Sequence, residues 1–550
     1  GPSESLSNAM ASPLELDGLG ADNWAPHLVR RIGRDGEARA KGEVRTTLDA
    51  ALQQEVQRLT SSTIARLRDK SVSAAAVLVV DTPTGEVRAW VGSQGFEDSV
   101  GLGQNDGVVA RRQPGSALKP FVYATALERR LLTAATPLPD VPTGFQTVGG
   151  EFRPQNYDGR FRGPVSARDA LGSSLNIPAV VVAQRVSPSV ILDSLRRLGF
   201  ASLDQPASHY GLALALGDGE VRLSEMVAAY ATLGREGEYL PLRWLEEESA
   251  TPPSRVFEPE TARLVTHILS DDAARIAGFG SNSVLDLPLP VAVKTGTSKG
   301  ARDNWAFGYT SRFTVGVWVG NFDGHAMQGT SGVTGAGPLL REVLLAAHRG
   351  ASELAVPNMQ GLTFAEICPL SGQLAGPDCP HHRREWFLAG TMPTDTCTWH
   401  RRVWLDRATG LLSGPECPGA TQRVVEALPE RYDEWARSTG RPSMPRQSAP
   451  GCPVQGSPAA ATALRSAGPR IVQPATGDVF LIDEERPAGG QRLTLKARGG
   501  VGALKLLLDG HVLGRAASPL GVNWELQRGT HRLRVVDESG AADEVTFAVR

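Results

Sequence analysis

The chain has 550 residues, 41% of them hydrophobic, and a formal net charge of −2. That length and apolar share are enough for two or three domains with cores of their own. The balanced charge, without a polybasic block, excludes nucleic acid and an anionic lipid surface as electrostatic partners, and no run of eighteen apolar residues is present to cross a membrane.

Residues 1–10, Gly1-Pro-Ser-Glu-Ser-Leu-Ser-Asn-Ala-Met10, read as an expression scar, and 11–72 as a linker followed by a packing helix. Leu48, Leu52, Val56, Leu59 and Leu67 mark the apolar face of that helix. A catalytic-sized unit spans 73–350. It opens with two strands, Ala75 to Val80 and Glu86 to Val91, joined by the turn Thr82-Pro-Thr-Gly85. Helices follow from Ser116 toward Leu127, around Ala170, over 180–185 and over 190–198. Strands return at Val291 to Gly296, Trp305 to Tyr309 and Phe313 to Val319. The pattern predicts an α+β fold, an antiparallel sheet closed by strands from both ends with a helical portion inserted between them. Residues 351–467 are rich in Pro, Gly and Cys and are expected to form an irregular connector. From 468 to 550 short alternating strands and the hairpin signal Asp509-Gly510 predict a C-terminal β-sandwich.

Lysine is scarce: seven residues against fifty arginines. Two of the seven stand in motifs. Lys119 closes Ser116-Ala-Leu-Lys119, and Lys294 opens Lys294-Thr-Gly-Thr-Ser298; Ser174-Leu-Asn176 lies between them. Alone, each motif is weak, because Ser116 after Pro-Gly also reads as a helix cap and Ser174 as a turn residue. Together, in this order, Ser-x-x-Lys, Ser-x-Asn and Lys-Thr-Gly form the pattern of penicillin-interacting acyl-serine enzymes. Arginine cannot stand in for either lysine where a proton must be accepted.

The flanks Arg112 to Tyr123, Arg168 to Ala179 and Leu214 to Val221 make the chain resemble the class A penicillin-binding proteins, 1C-type branch, in their transpeptidase half. The resemblance is dense over 45–350 and continues through Cys368 to Ala375 and Gly390 to Thr394. It implies a serine-type D-Ala-D-Ala transpeptidase that cross-links peptidoglycan stem peptides through an acyl-serine and is trapped by β-lactams. Ser116 is the implied nucleophile, Lys119 the base, and Ser174 a proton relay. Asn176 would hold the substrate amide, and Lys294 with the Thr295 and Thr297 hydroxyls the terminal carboxylate. Gly296 lets the strand approach, Gly296 and Ser298 count with the two threonines as substrate-binding residues, and the backbone N–H groups of Ser116 and Thr297 form the oxyanion hole. Asn156-Tyr157 and Asp303-Asn-Trp305 match family flanks and either line the cleft or pack. No metal or cofactor is assigned to the site. The family usually begins with a membrane anchor and a glycosyltransferase domain, so the chain is expected to be a truncation of a protein anchored on the periplasmic side of the inner membrane, with a periplasmic protein as a partner for the sandwich. A penicillin-binding sensor or scaffold, and a D,D-carboxypeptidase or β-lactamase-type hydrolase, are the competing readings.

All five cysteines, Cys368, Cys379, Cys397, Cys417 and Cys452, fall in the connector. Two arrangements compete. Disulfides would brace the segment, with Cys368 to Cys379 across a Pro/Gly-rich loop, Cys417 to Cys452, and Cys397 left free. A zinc site from Cys368, Cys379, Cys397 and His400 is the rival, and the disulfide arrangement is the expectation. With no cysteine before 368, the connector is expected to stand apart from the catalytic cleft.

Overall fold

The computed structural model of the chain describes residues 24–34, 43–147, 150–249, 251–281, 283–350, 358–452, 468–474, 476, 478–480, 482 and 491–549. The expected scar over 1–10, and 11–23 of the expected linker, lie outside them. Inside the linker, Pro26 starts a short helix, α1 (Pro26–Ile32), with Leu28 buried and Arg31 over the Trp90 and Trp244 rings. The packing helix is α2 (Ala50–Leu67). Its cap is Asp49, whose carboxylate accepts the Leu52 N–H at 3.0 Å, so Leu48 lies just outside the helix.

The central sheet is antiparallel. Its strands are β1 (Ala74–Asp81), β2 (Val87–Val91), β3 (Ala292–Thr297), β4 (Asp303–Tyr309) and β5 (Phe313–Gly320), in the order β2-β1-β5-β4-β3. β1 runs opposite β5 from Ala74↔Gly320 to Asp81↔Phe313. β1 is an unbroken apolar run because both its faces are covered. Ala74, Ala76, Leu78 and Val80 join the core under the inserted helices, while Ala75, Val77 and Val79 join a second core beneath α2 and α8 (Gly337–Ala347). The helices inserted between β2 and β3 include α3 (Lys119–Glu128), α4 (Ala167–Gly172), α5 (Asn176–Val186), α6 (Pro188–Arg197) and α7 (Leu223–Gly234). The α+β expectation holds.

The connector is more ordered than its composition suggests. It contains two hairpins, β6 (Thr363–Ile367) with β7 (Arg383–Phe387), and β8 (His400–Asp406) with β9 (Ala420–Glu426). Cys417 and Cys452 are bonded, as expected. The expected Cys368–Cys379 bond is not formed: both thiols are free, as is that of Cys397. The reason is a longer-range pairing. Leu374 bridges Thr396, and its carbonyl accepts the Cys397 N–H at 2.8 Å, which brings a third thiol into the loop between the other two.

The C-terminal unit is the expected sandwich. One sheet orders 469–473, 492–499 and 520–525; the other orders 479–480, 542–549, 529–536, 503–508 and 511–517. Leu493, Leu495, Leu506, Leu533 and Phe547 point between the sheets and form a core separate from the catalytic unit's.

Candidate active site

Three segments meet where the sheet faces the inserted helices. The first is a 3₁₀ turn, Gly115–Leu118, that leads directly into α3 and carries Ser116 half-buried at its start. Two anchors hold this turn: the Tyr230 hydroxyl donates to Ala117 O at 2.7 Å, and the Trp305 indole N–H to Gln113 O at 2.8 Å. β3 packs against the turn backbone to backbone. A Cβ on Gly296 would come within 2.2 Å of Pro114 O, and one on Gly115, which has φ of +55°, within 2.3 Å of Thr297 O. Only glycine permits that approach at either position.

The second segment is the end of α4. Leu175 N–H donates to Ala170 O and Ser174 N–H to Leu171 O, which closes the helix with Ser174 in the left-handed region at φ +60°. Glycine is the usual choice there. Ser174 carries that strain and supplies two acceptors. Its carbonyl accepts from Lys119 Nζ at 2.6 Å and its hydroxyl from Lys294 Nζ at 2.8 Å, so one residue spans both lysines.

Lys119, one helical turn after Ser116, is completely buried. Its ammonium also donates to Leu175 O at 3.0 Å and Asn176 Oδ1 at 2.7 Å, which occupies all three of its hydrogens. Burial, and then the charge of Lys294, push its pKa well below the lysine range, with Asp140 opposing them. Lys294, on β3, is 2% exposed and also donates to Thr295 O at 2.7 Å; burial alone pulls its pKa down to about 7.

Asn176 opens α5 and is fixed on both sides. Its backbone N–H donates to Asn156 Oδ1 at 2.9 Å and its Nδ2 to Gln155 O at 2.7 Å. Asn156 is thus a buried support, while Tyr157 points outward, 84% exposed. Along β3, Lys294 and Gly296 share the face toward Ser116. Thr295 and Thr297 alternate with them onto the other face, and both approach Gly332. Thr297 is half-buried at the strand end, and its Oγ1 accepts the Gly332 N–H at 2.9 Å. Ser298 is turned away, donating to Asp303 Oδ2 and accepting the Asp303 N–H, so it shapes the turn. Asn304 and Trp305 are core residues. His325 sits outside on the surface against Asp323.

One support escapes the sequence reading. Arg168 on α4 reaches Glu385 on β7 through two hydrogen bonds of 2.7 and 2.6 Å, both side chains essentially without solvent exposure. Arg383 makes a second pair of contacts, 2.9 Å each, to Asp169. The connector hairpin therefore clasps the helix that ends in Ser174. Nothing in the sequence pairs an arginine with a glutamate 217 positions away.

Comparison with known proteins gives the class to which this arrangement belongs. Residues 75–344 match the family described as penicillin binding protein transpeptidase domain, 360–402 the C-terminal domain of penicillin-binding protein 1A, and 458–547 the penicillin-binding protein C-terminus family. Penicillin-binding protein 1C of Escherichia coli is 31% identical over 545 residues, 96% of this chain and 68% of that protein. Penicillin-binding protein 1B of Haemophilus influenzae is 26% identical, over 74% of this chain and 50% of its own. Among solved structures, penicillin-binding protein 1A of Haemophilus influenzae superposes with a TM-score of 0.51 at 25% identity, covering 59% of this chain and 54% of that one. The chain belongs to the class A penicillin-binding proteins, in their 1C-type branch. It spans about two thirds of the Escherichia coli relative and half of the Haemophilus influenzae 1B protein. Among the described residues, no helix is long and apolar enough to cross a membrane.

Proposed function

We propose that the chain catalyses D,D-transpeptidation of peptidoglycan stem peptides, with Ser116 as nucleophile. The observation that carries this reading is Ser174, which joins two buried lysines through its carbonyl and its hydroxyl beside the turn that bears Ser116. Ser116 Oγ attacks the carbonyl of the penultimate D-Ala and its proton passes to neutral Lys119. The oxyanion rests on the backbone N–H groups of Ser116 and Thr297. As the C–N bond breaks, the Ser174 hydroxyl passes that proton from Lys119 to the departing D-Ala amine, which leaves Lys119 neutral again. An amine from a second stem then attacks the ester and gives up its proton to Lys119; the new amide bond forms, the C–Oγ bond breaks, and Lys119 returns the proton to Ser116 Oγ. Charged Lys294 and the Thr295 and Thr297 hydroxyls hold the terminal carboxylate, while Asn176, bonded to Lys119 and to Gln155 O, holds the base in place and offers its remaining N–H to the substrate amide. β-Lactams present the same carbonyl and carboxylate and stay attached.

The transpeptidase unit extends over 73–350, followed by the connector over 351–467 and the sandwich over 468–550. The family likeness supports an anchored position at the periplasmic face of the inner membrane, with the sandwich open to a periplasmic protein partner. To test the reading, labelled penicillin is bound and chased, and a stem-peptide donor is supplied with an amine acceptor. A label that persists, together with a cross-linked product, is expected. Loss of label within seconds, or release of D-Ala without cross-linking, would make the chain a hydrolase; persistent label with no product would make it a sensor.

The lysine pair predicts the pH profile of acylation. Burial and the charge of Lys294 hold Lys119 well below the lysine range against Asp140, and in the proposed mechanism Lys119 gives up its proton first. The productive free enzyme has Lys119 neutral and Lys294 charged. Deprotonating Lys119 raises the second-order acylation constant, and deprotonating Lys294 lowers it, so the constant should climb and then fall as Lys294 titrates at about 7. Lys294→Arg, charged at every pH used, should lack the alkaline limb. An unchanged limb in that variant would assign it to another group.

A further inference from the structure

From the connector we infer a metal site: Cys368, Cys379, Cys397 and His400 form a closed, tetrahedral zinc site that holds its two hairpins together. The four ligand atoms lie within 4.8 Å of one another, and of the four residues only Cys397 is more than marginally exposed. His400 Nδ1 is 3.4 Å from Cys368 Sγ and 3.6 Å from Cys397 Sγ. Zinc–sulfur bonds of about 2.3 Å and zinc–nitrogen bonds of about 2.0–2.1 Å at a tetrahedral angle place S and N roughly 3.6 Å apart. The observed spacings already match that edge.

The surroundings suit metal-bound thiolates. Gly376 N–H donates to Cys379 Sγ at 3.3 Å. The other ring nitrogen, His400 Nε2, faces Glu426 Oε1 at 4.0 Å, and Arg441 holds that carboxylate through Nε at 2.8 Å. An imidazole that binds metal through one nitrogen and turns the other toward a carboxylate is the usual outer-shell arrangement. Four protein ligands leave no open position, so the role is structural. Binding displaces the thiol protons and involves no redox change.

The connector needs such a tie. Its first hairpin contributes only Ile367 and Phe387 to a three-residue buried core, the third member being Ala135 of the catalytic unit. A core that small gains from a staple in addition to the Arg168–Glu385 clasp. Cys368 follows β6, Cys379 precedes β7, and Cys397 and His400 lead into β8, so a single ion would join both hairpins.

The test uses the full chain, purified without chelator or reductant, with metal measured by mass spectrometry and cysteines by non-reducing peptide mapping. The expected result is about one zinc per chain, the Cys417–Cys452 bond alone, and three thiols that resist alkylation until a chelator is added. Cys397→Ser with His400→Ala should lose most of the zinc. If those variants do not fold, the unmodified chain still decides the matter. No zinc in the isolated protein, and none taken up from stoichiometric zinc after reduction, would overturn the site. So would a disulfide between any two of Cys368, Cys379 and Cys397.

Discussion

Ser116→Ala is expected to abolish covalent labelling by a fluorescent penicillin and to leave the folded state unchanged. Ser116 is half-buried at the start of a turn whose position is set by other groups, Tyr230 on Ala117 O and Trp305 on Gln113 O. Removing the hydroxyl leaves those anchors in place, and removing a nucleophile of this type costs on the order of a millionfold in rate. Lys119→Arg should be nearly as damaging, since a guanidinium holds its proton and the pocket of three acceptors is built around a compact ammonium. Labelling with mass-spectrometric location of the acyl group, alongside a melting curve, checks both variants. An acyl group on any other serine would refute the assignment.

The second large effect belongs to a residue far from the reacting atoms. Glu385→Ala leaves the Arg168 guanidinium, 3% exposed, without its bidentate partner, while Asp271 keeps a single contact of 3.1 Å. Breaking a buried ion pair from one side typically costs about 3–5 kcal/mol. The loss should appear twice: as a lower denaturant midpoint for the catalytic unit, and as slower acylation, because α4 carries Ser174 at its end. A variant as stable and as fast as the parent would show that the hairpin merely rests on the helix. The connector therefore does not stand apart from the helix that ends in Ser174, and the acylation rate of this variant tests whether the cleft depends on it. Cysteine positions say nothing about where Glu385 docks.

What is legible follows from locality. The strands at 74–81 and 87–91 are readable because buried apolar runs and a Thr-Pro-Thr-Gly turn are local signals, and the sandwich because its strands alternate. Ser116, Lys119, Ser174 and Lys294 are readable because the lysines are rare and the motifs keep their order. The role of Ser298 is not, since a motif written as letters does not say which hydroxyl faces the cleft; the Asp303 turn decides that. Cys368 and Cys379 mislead for the opposite reason. Short loop length favours pairing them, but the Leu374–Thr396 bridge, invisible in composition, delivers Cys397 and His400 to the same place.

The pairing of β1 with β5 also governs the order of assembly. Ala74 finds its partner only at Gly320, so the central sheet cannot close until that strand has been made. Until then β1 presents Ala-Ala-Ala-Val-Leu-Val-Val with an open edge, a segment suited to pairing with the wrong chain. Such long-range closure is slow, and the inserted helices, whose contacts are local, have time to form first. The turn that bears Ser116 waits on the same closure, since Trp305 on β4 anchors it and β3 brings Lys294 to it, and a growing chain acquires its reactive serine late, as one of the last consequences of folding.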